Sequence, residues 1–335
     1  MTGTRISSTV DYEQPGKQTG FLRLPHSVHE SAYGFIPVPV VCIKNGSGPT
    51  VLLNSGNHGD EYEGQVALMK LIRALAPEEV QGRLIFLPAS NFPAAMAGRR
   101  TSPIDAGNLN RSFPGDPDGT PTKMIAHYID SVILPMCDYA LDLHSGGSSL
   151  MYIPSALGTL IPGQTARNDK LIGMLKAFGA PISYLSAQHM GADQTLGASA
   201  TRRGVLHMGT ELGGSGTVTP AALKVAEAGV RRVLRLIGVL PGVEVSPPQP
   251  THIMQVGGAD YYVYTPEGGL FEPLVELGDA VKKGQPAAAV HFSHTPWREP
   301  EVVRFEREGV VLCKRIPGRT ERGDCLFHLG TDYRA

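Results

Sequence analysis

Apolar runs alternate with helix-like, amphipathic segments over most of the chain up to residue 240. The run Val51-Leu52-Leu53 is typical of a buried strand, and the segment from Gln65 to Leu75 has a helical period. The same alternation predicts further strands over 35–43, 83–87, 139–143 and 205–211, and further helices over 122–132, 170–178 and 222–237. Alternating strands and helices favour a three-layer α/β domain whose mixed sheet is largely parallel.

The pattern changes after the proline-rich stretch over 241–250. Beyond it, short strand-like segments are separated by turns and no helical period remains, which predicts a small all-β domain. We place the boundary so that residues 1–245 form the α/β domain and residues 246–335 the barrel-sandwich-like β domain. The string 278–285, Gly-Asp-Ala-Val-Lys-Lys-Gly-Gln, resembles a turn of lipoyl and biotinyl carrier domains. Those domains present an attachment lysine at a hairpin tip, which we do not find, so a structural barrel is the better interpretation.

The composition is that of a soluble, globular protein. The 335 residues are 41% hydrophobic and 18% charged, which suffices for a full core. A net charge of -1 gives no general attraction to polyanions, so we expect neither a nucleic-acid nor a membrane partner. The four cysteines show no C-x-x-C spacing and are interpreted as reduced thiols. Without a signal-like or membrane-spanning apolar segment, we expect a cytoplasmic protein and leave a homo-oligomer open.

Candidate chemistry begins in the stretch 54–64, Asn-Ser-Gly-Asn-His-Gly-Asp-Glu-Tyr-Glu-Gly, which links the first predicted buried strand to a helix. It places His58 and Glu61 at the carboxyl end of a strand, where open α/β sheets bind ligands. The spacing allows an imidazole nitrogen and a carboxylate oxygen to converge on one cation from a tight turn. An isolated H-x-x-E pair is nevertheless a weak signal, because surface loops carry such pairs often.

A second candidate follows the predicted strand over 139–143. Asp142 and His144 are two residues apart on an extended segment, so their side chains share a face. A carboxylate beside a metal-binding imidazole fixes its tautomer and orientation, which makes His144 a ligand candidate and Asp142 its supporting acceptor. Glu211 similarly ends the strand predicted over 205–211 and precedes a glycine-rich turn.

The long glycine- and proline-rich segment over 91–121 has little periodicity, and loops of that length in compact domains are usually functional. It contains Arg99-Arg100 and Asn110-Arg111. A guanidinium near a metal stabilises a developing oxyanion, for which Arg100 is the candidate. Asn110 and Arg111 are suited to clamp a substrate carboxylate.

Together, His58, Glu61 and His144 form a His₂Glu set, which leaves a tetrahedral zinc one open position. That composition is typical of catalytic rather than structural zinc, and we expect one Zn²⁺ per chain. Zinc lowers the pKa of bound water toward neutrality, but a base must still take the proton and pass it to the leaving amine. Glu211 is the spare carboxylate for that role.

The motifs His58-Gly59-Asp60-Glu61, Asn110-Arg111, His144 and Glu211, in that order, resemble the zinc carboxypeptidase superfamily, and closely its succinylglutamate desuccinylase/aspartoacylase branch. The resemblance spans about residues 50 to 240, and the branch also carries an appended β domain. It implies zinc held by His58, Glu61 and His144, with Glu211 as general base and acid. It further implies Arg100 as the oxyanion arginine, although Arg99 adjoins it, and a substrate carboxylate held by Asn110 and Arg111.

Longer strings, such as 101–105 Thr-Ser-Pro-Ile-Asp and 113–120 Phe-Pro-Gly-Asp-Pro-Asp-Gly-Thr, resemble a subfamily that deacetylates N-alpha-acetyl-L-2,4-diaminobutyrate in ectoine breakdown. The implied partner is therefore a small N-acyl amino acid. Alternatives are a deacylase of another N-acyl amino acid, a peptide carboxypeptidase, and a catalytically silent binding or carrier scaffold. Asp193, Thr195 and His189 are candidates for receiving the substrate side chain.

Overall fold

The computed structural model of the protein describes residues 3–186 and 192–334. Its α-helices are α1 (Tyr62–Ala74), α2 (Phe92–Ala97), α3 (Pro121–Tyr128), α4 (Thr165–Phe178), α5 (Leu196–Arg202) and α6 (Pro220–Leu236). The strands up to residue 211 are β1 (Ser7–Ser8), β2 (Gly16–Pro25), β3 (Phe35–Asn45), β4 (Thr50–Ser55), β5 (Gly82–Leu87), β6 (Tyr139–His144), β7 (Leu150–Tyr152), β8 (Ser155–Thr159), β9 (Ile182–Ser186) and β10 (Leu206–Glu211).

The strands after residue 250 are β11 (His252–Val256), β12 (Tyr262–Tyr264), β13 (Gly269–Pro273), β14 (Ala280–Val281), β15 (Pro286–His291), β16 (Glu301–Arg304), β17 (Gly309–Arg315), β18 (Arg319–Thr320) and β19 (Cys325–Asp332). In the described part of this region, the helical backbone is limited to a short 3₁₀ turn at Ala259–Tyr261. The expected all-β character of the C-terminal region is therefore confirmed.

The centre of the main sheet is parallel. Strands β5, β4, β6 and β10 lie side by side in that order, and each neighbouring pair runs parallel. Antiparallel strands flank this centre, with β3 beside β5 and β8 beside β10. The parallel centre aligns the carboxyl ends of β4, β6 and β10 at one edge of the sheet.

Helices cover both faces of the sheet, because the central strands are apolar on both sides. On one face, α1, α4 and α6 pack on a buried core that includes Leu68, Leu171, Phe178 and Val230. On the other face, α3, α5 and the strand β2 cover a second core. The three-layer mixed α/β architecture predicted from the sequence is confirmed.

Prolines shape one end of strand β3. The segment from Phe35 to Val40 pairs with β2 alone, whereas residues from Val41 onward also pair with β5. Pro37 and Pro39 lie in the part with one partner strand, as expected for residues that lack an N–H donor. The helix predicted over 122–132 is divided, because α3 continues into a π-helical segment over Ile129–Ile133.

The C-terminal strands are split between two sheets. Strand β11 pairs in parallel with β9, and β19, β17 and β14 extend the main sheet from there. Strands β16, β15, β13 and β18 form a separate antiparallel sheet. The domain boundary near residue 245 stays a prediction. In the described ranges, no helix has the length and apolarity that crossing a bilayer requires.

Two helical glycines allow the packing between α4 and α6 to be tested. A Cβ at Gly229 of α6 would lie 2.7 Å from atoms of the Phe178 ring, whereas a Cβ at Gly173 of α4 would meet nothing within 4 Å. We expect Gly229→Ala to lower the free energy of unfolding by about 1–3 kcal/mol through overpacking. Gly173→Ala should raise it by about 0.5–1 kcal/mol through helix propensity. Urea unfolding of both variants measures this, and equal effects would contradict close packing at Gly229.

Candidate metal centre and active site

Three neighbouring strands and their following turns bring the candidate ligands together. Strand β4 leads into the turn with His58 and Glu61, β6 ends at His144, and β10 ends at Glu211. In the ladder between β6 and β10, Glu211 lies opposite His144. Asn54 at the end of β4 lies opposite Asp142. The aligned strand ends therefore place residues far apart in sequence around one point.

His58, Glu61 and His144 form a buried cluster whose ligand atoms all lie within 4.8 Å of one another. The Nδ1 atom of His58 is 2.6 Å from Glu61 Oε1, and Nδ1 of His144 is 2.8 Å from Glu61 Oε2. Both imidazoles thus turn the same ring nitrogen toward one carboxylate. Two imidazole nitrogens and a carboxylate oxygen at this separation are a donor set that fits zinc.

The opposite ring nitrogens are held by acceptors from the surrounding turns. His58 Nε2 is 3.1 Å from Asn108 Oδ1, and His144 Nε2 is 2.9 Å from Asp142 Oδ2. A proton on each Nε2 leaves the lone pair on each Nδ1, facing Glu61. The hydrogen-bond pattern therefore presets the tautomer in which both histidines can bind a cation.

Asp142 is itself held in place by two amides. Asn54 Nδ2 donates to Asp142 Oδ1 over 2.8 Å, and Asn57 Nδ2 lies 3.0 and 2.9 Å from the two carboxylate oxygens. All three side chains are buried. These donors satisfy a carboxylate that would otherwise be costly to bury as an anion.

Burial and neighbouring charges act in opposite directions on these groups. Burial lowers the pKa of His58 and outweighs the attraction of Glu61. Burial also opposes charge on His144, but the carboxylates of Asp142 and Glu61 together raise its pKa well above the ordinary value. Burial raises the pKa of Glu61, yet the two histidines more than offset this and lower it. The cluster therefore favours an ionised Glu61 between its two imidazoles.

Unlike Glu61 and Asp142, Glu211 forms no ion pair with a residue that the structure describes. Burial, and then the nearby charge of Glu61, raise the pKa of Glu211 well above its ordinary range. Its Oε2 atom is buried without a hydrogen-bond partner in the described residues. A carboxyl group with a raised pKa can exchange a proton near neutral pH, as general acid–base chemistry requires.

Arg100, rather than Arg99, reaches the cluster. Its Nη1 atom lies 3.3 Å from Glu61 Oε1, and 46% of its side chain is exposed. Arg99 is exposed at the surface and contributes a backbone carbonyl that accepts a hydrogen bond from Gly59. Geometry thus separates two adjacent arginines that the sequence leaves equivalent.

Asn110 and Arg111 lie in a 3₁₀ turn beside the cluster. The Nδ2 atom of Asn110 is 3.3 Å from His144 Nε2, and its Oδ1 accepts a hydrogen bond from Leu196 N. Arg111 Nη1 donates to the Asn110 carbonyl over 2.7 Å. Burial, followed by the charge of Arg100, lowers the pKa of Arg111. Binding an anionic ligand would stabilise the charge of a guanidinium that is partly buried beside another cation.

One cavity of about 720 Å³ connects these residues. Its lining includes all the predicted metal-binding, catalytic and carboxylate-binding residues, namely His58, Glu61, Arg100, Asn110, Arg111, Asp142, His144 and Glu211. Asp193 and Thr195 also line it, while His189 lies outside the described residues. A concave pocket with convergent polar groups is the usual form of a small-molecule site.

Other lining residues were not found by sequence reasoning. They include Tyr152, Tyr262, Arg167 and His207. Tyr262 comes from the C-terminal strand β12, and its ring stacks on that of His328 at 4.5 Å between centroids. Sequence reasoning also missed Asn54, Asn57 and Asn108, which hold Asp142 and His58. Their positions in or beside the segments that supply the ligands could have suggested them. The aromatic residues could not be found from the sequence, because no local motif surrounds them.

The fold and the site together define a metal-dependent hydrolase class, in which a His₂Glu donor set and a free carboxylate meet at the carboxyl edge of an α/β sheet. The chain belongs to the succinylglutamate desuccinylase/aspartoacylase family, and residues 47–237 match the model of the family's catalytic domain. It is accordingly a hydrolase that acts on amide bonds of the N-acyl amino acid type.

Similar proteins match over nearly the whole chain. The N-alpha-acetyl-L-2,4-diaminobutyric acid deacetylase of Halomonas elongata is 45% identical, covering 96% of this chain and 93% of the relative. The product-bound structure of the ectoine utilization protein EutE (DoeB) from Ruegeria pomeroyi is 40% identical with a TM-score of 0.93, covering 98% and 99%. A succinylglutamate desuccinylase/aspartoacylase structure from Rhodobacter sphaeroides is 40% identical with a TM-score of 0.92, covering 99% and 100%.

The Asp142–His144 hydrogen bond can be tested through metal affinity. In Asp142→Asn, the amide can donate to Nε2, which shifts the His144 proton to Nδ1 and blocks that atom. We expect zinc affinity to fall about 10–100-fold, measured by competition with a chromophoric chelator. Asp60→Asn is a matched control, because buried Asp60 accepts from Ser148 rather than from a histidine. Equal losses in both variants would show that the tautomer argument is wrong.

Proposed function

We propose that the protein is a zinc-dependent deacetylase that cleaves N-alpha-acetyl-L-2,4-diaminobutyrate into acetate and the free diamino acid. The observation that carries this proposal is the His58–Glu61–His144 cluster, which opens into the cavity that also contains Glu211 and Arg100. The acyl group and the amino acid are proposed from the name of the Halomonas elongata relative, since the site geometry alone does not distinguish them.

His58, Glu61 and His144 are proposed to hold one zinc ion per chain. When bound, zinc supplies Lewis acidity, which lowers the pKa of a water molecule and polarises an amide carbonyl. The protein's own contribution is the orientation of the donors. Asn108 and Asp142 keep each Nε2 occupied, so that each Nδ1 stays available.

Glu211 is proposed as the general base and acid. It takes a proton from the attacking water and returns it to the amide nitrogen, so that the amine leaves as a neutral group. Its raised pKa suits both steps, because the carboxylate must first accept the proton and then release it. Its place opposite His144 in the β6–β10 ladder puts it beside the proposed metal ligands.

Arg100 is proposed to stabilise the negative charge that develops on the carbonyl oxygen. Its Nη1 atom is already close to Glu61, so the guanidinium points toward the reacting centre. Removing a single donor of this kind from an acyl-transfer site typically costs about 10²–10³ in rate. Asn110 and Arg111 are proposed to bind the substrate carboxylate, which Arg111 can engage through two parallel N–H groups.

Asp193 is proposed to receive the cationic side chain of the diamino acid. It lines the cavity, and a carboxylate there complements an alkylammonium group. Its backbone carbonyl accepts a hydrogen bond from Arg202 Nη1, which anchors the turn that carries it. The small-molecule partner is thus proposed to be an N-acyl amino acid with a positively charged arm. A cytoplasmic location, the lack of nucleic-acid and membrane partners, and a homo-oligomer all stay predictions.

The decisive assay follows the released acid from a panel of N-acyl amino acids. The panel contains N-alpha-acetyl-2,4-diaminobutyrate, N-acetylaspartate, N-succinylglutamate and a blocked dipeptide. Acetate release that is fastest from the diaminobutyrate derivative supports the proposal. Preference for another acyl amino acid or for the dipeptide would replace it with the corresponding deacylase or carboxypeptidase. A protein that binds these compounds without turnover and without about one zinc per chain would be a silent scaffold.

Glu211→Gln tests the base. The amide keeps the size of the side chain but cannot accept the proton, so we expect kcat to fall about 10²–10⁴-fold. Zinc content and the dissociation constant for substrate should stay near those of the unmodified enzyme. Metal analysis and equilibrium binding serve as controls for each preparation. Unchanged hydrolysis by this variant would remove Glu211 from the mechanism.

Arg111→Ala tests the carboxylate clamp. A charged hydrogen-bonding partner contributes about 1.5–3 kcal/mol, so KM for the acetylated amino acid should rise about 10–100-fold while kcat changes little. The same variant should barely affect an analogue in which the α-carboxylate is replaced by hydrogen. Steady-state kinetics on both compounds measure the difference. A similar rise in KM for both would contradict the clamp.

A further inference from the structure

Helix α5 forms one wall of the cavity. Gly197, Ala198 and Thr201 of this helix line the cavity, and Asp193 lines it from the 3₁₀ turn that precedes the helix. With seven residues, α5 is too short to be stable as an isolated helix, so its position depends on contacts with the rest of the protein. The contacts that hold α5 and the turn before it therefore determine where the Asp193 carboxylate lies.

Two of the hydrogen bonds that hold this turn come from the segment of the carboxylate clamp. Phe113 N donates to the Gln194 carbonyl over 3.1 Å, and Leu196 N donates to Asn110 Oδ1 over 2.9 Å. Neither bond acts on Asp193 itself, which is exposed. Within residues 3–186 and 192–334, no hydrogen bond or ion pair occupies its carboxylate. The position of Asp193 therefore depends on a further contact.

That contact comes from the other end of the helix. Arg202, the last residue of α5, donates through Nη1 to the Asp193 carbonyl over 2.7 Å. Its Nη2 atom donates to Ser199 Oγ over 3.2 Å. One guanidinium thus connects the turn before the helix to the helix itself. Because Arg202 binds the carbonyl of Asp193 and not the carboxylate, the carboxylate stays available for a substrate ammonium group.

Asp130 fixes the direction of the Ser199 hydroxyl. Ser199 Oγ donates to Asp130 Oδ1, so a lone pair of the hydroxyl remains to accept from Arg202. Both residues are buried, with exposed fractions of 0% for Ser199 and 5% for Asp130. Asp130 belongs to the π-helical segment over Ile129–Ile133, and such segments are rare and often occur at functional sites. A network therefore runs from a buried carboxylate through Ser199 and Arg202 to the turn that carries Asp193.

The adjacent arginine has a different partner. Arg203 Nη2 lies 2.5 Å from Asp130 Oδ2, so this guanidinium forms an ion pair with the buried carboxylate instead of binding the turn. Arg202 and Arg203 thus lie at the same helix end and carry the same charge, but they hold different groups. This pair allows the contact to Asp193 to be separated from the general effect of losing a charge at the end of α5.

We propose that Arg202 is a positioning residue that sets the preference for a substrate with a cationic side chain, by holding the Asp193 turn at the cavity. The proposal rests on the proposed function, in which Asp193 receives the ammonium group. A displaced carboxylate loses its hydrogen bonds to that group, so loss of the Arg202 contact weakens only substrates that carry an ammonium group. A direct effect of the Arg202 charge would have the opposite sign, since a cation repels an ammonium group.

The test compares two substrates of the metal-loaded enzyme that differ in the ammonium group alone. They are N-alpha-acetyl-2,4-diaminobutyrate and N-alpha-acetyl-2-aminobutyrate, and the measured quantity is the ratio of their kcat/KM values. We expect the unmodified enzyme to favour the first. Asp193→Asn should lower the ratio about tenfold and Arg202→Gln about three- to tenfold, both by raising KM for the first substrate. Arg203→Gln is the matched control and should leave the ratio unchanged. Activity on the second substrate serves as the control for folding.

Arg202→Lys should retain more of the preference than Arg202→Gln, because lysine still has a donor for the Asp193 carbonyl. If Asp193→Asn lowers the ratio as expected, an unchanged or higher ratio in Arg202→Gln would overturn this proposal alone. So would an equal rise in KM for both substrates, because Arg202 would then bind the carboxylate that they share. An equal fall of the ratio in Arg203→Gln would also overturn it. If the unmodified enzyme shows no preference, or Asp193→Asn leaves it unchanged, the proposed role of Asp193 fails as well.

Discussion

The parallel register of β4, β6 and β10 is the constraint on which the site depends. It places Asn54 opposite Asp142 and Glu211 opposite His144. A shift of one residue in any of these strands would turn its polar end to the other face of the sheet. Since helices cover both faces of the sheet, such a shift would also move apolar side chains out of the core into which they pack. The register that builds the core therefore also builds the site.

Buried charge is the main cost of this arrangement, and the surrounding turns offset it. Glu61, Asp142 and Glu211 lie within one small region, where like charges and burial both favour protonation. Glu61 is held by two imidazoles, and Asp142 by His144 and two amides, whereas Glu211 has no such partner among the residues that the structure describes. The same environment thus separates structural carboxylates from one that can exchange protons. The difference follows from the positions of donors, since the three groups are chemically alike.

The site residues that could be predicted from the sequence are those whose positions depend on the local pattern of apolar and polar residues. His144 and Glu211 end strands, and His58 and Glu61 lie in the turn that follows one, so their places could be derived from periodicity. The sequence could not distinguish Arg100 from Arg99, because the path of a loop depends on contacts such as that between Gly59 N and the Arg99 carbonyl. Strands β8 and β9 also escaped prediction. They are short, and their pairing joins segments distant along the chain.

The C-terminal strands bear on the site through contacts that no local motif could reveal. His328 of β19 is buried and stacks on Tyr262, with the rings of Tyr152 and Tyr184 at its edges. Tyr152 and Tyr262 line the cavity, so this aromatic cluster connects the cavity wall to the C-terminal sheet. Aromatic pairs of this kind stabilise by about 0.5–1.5 kcal/mol beyond the area they bury. The shape of the cavity therefore depends on residues that follow the family's catalytic segment, while its polar chemistry comes from within that segment.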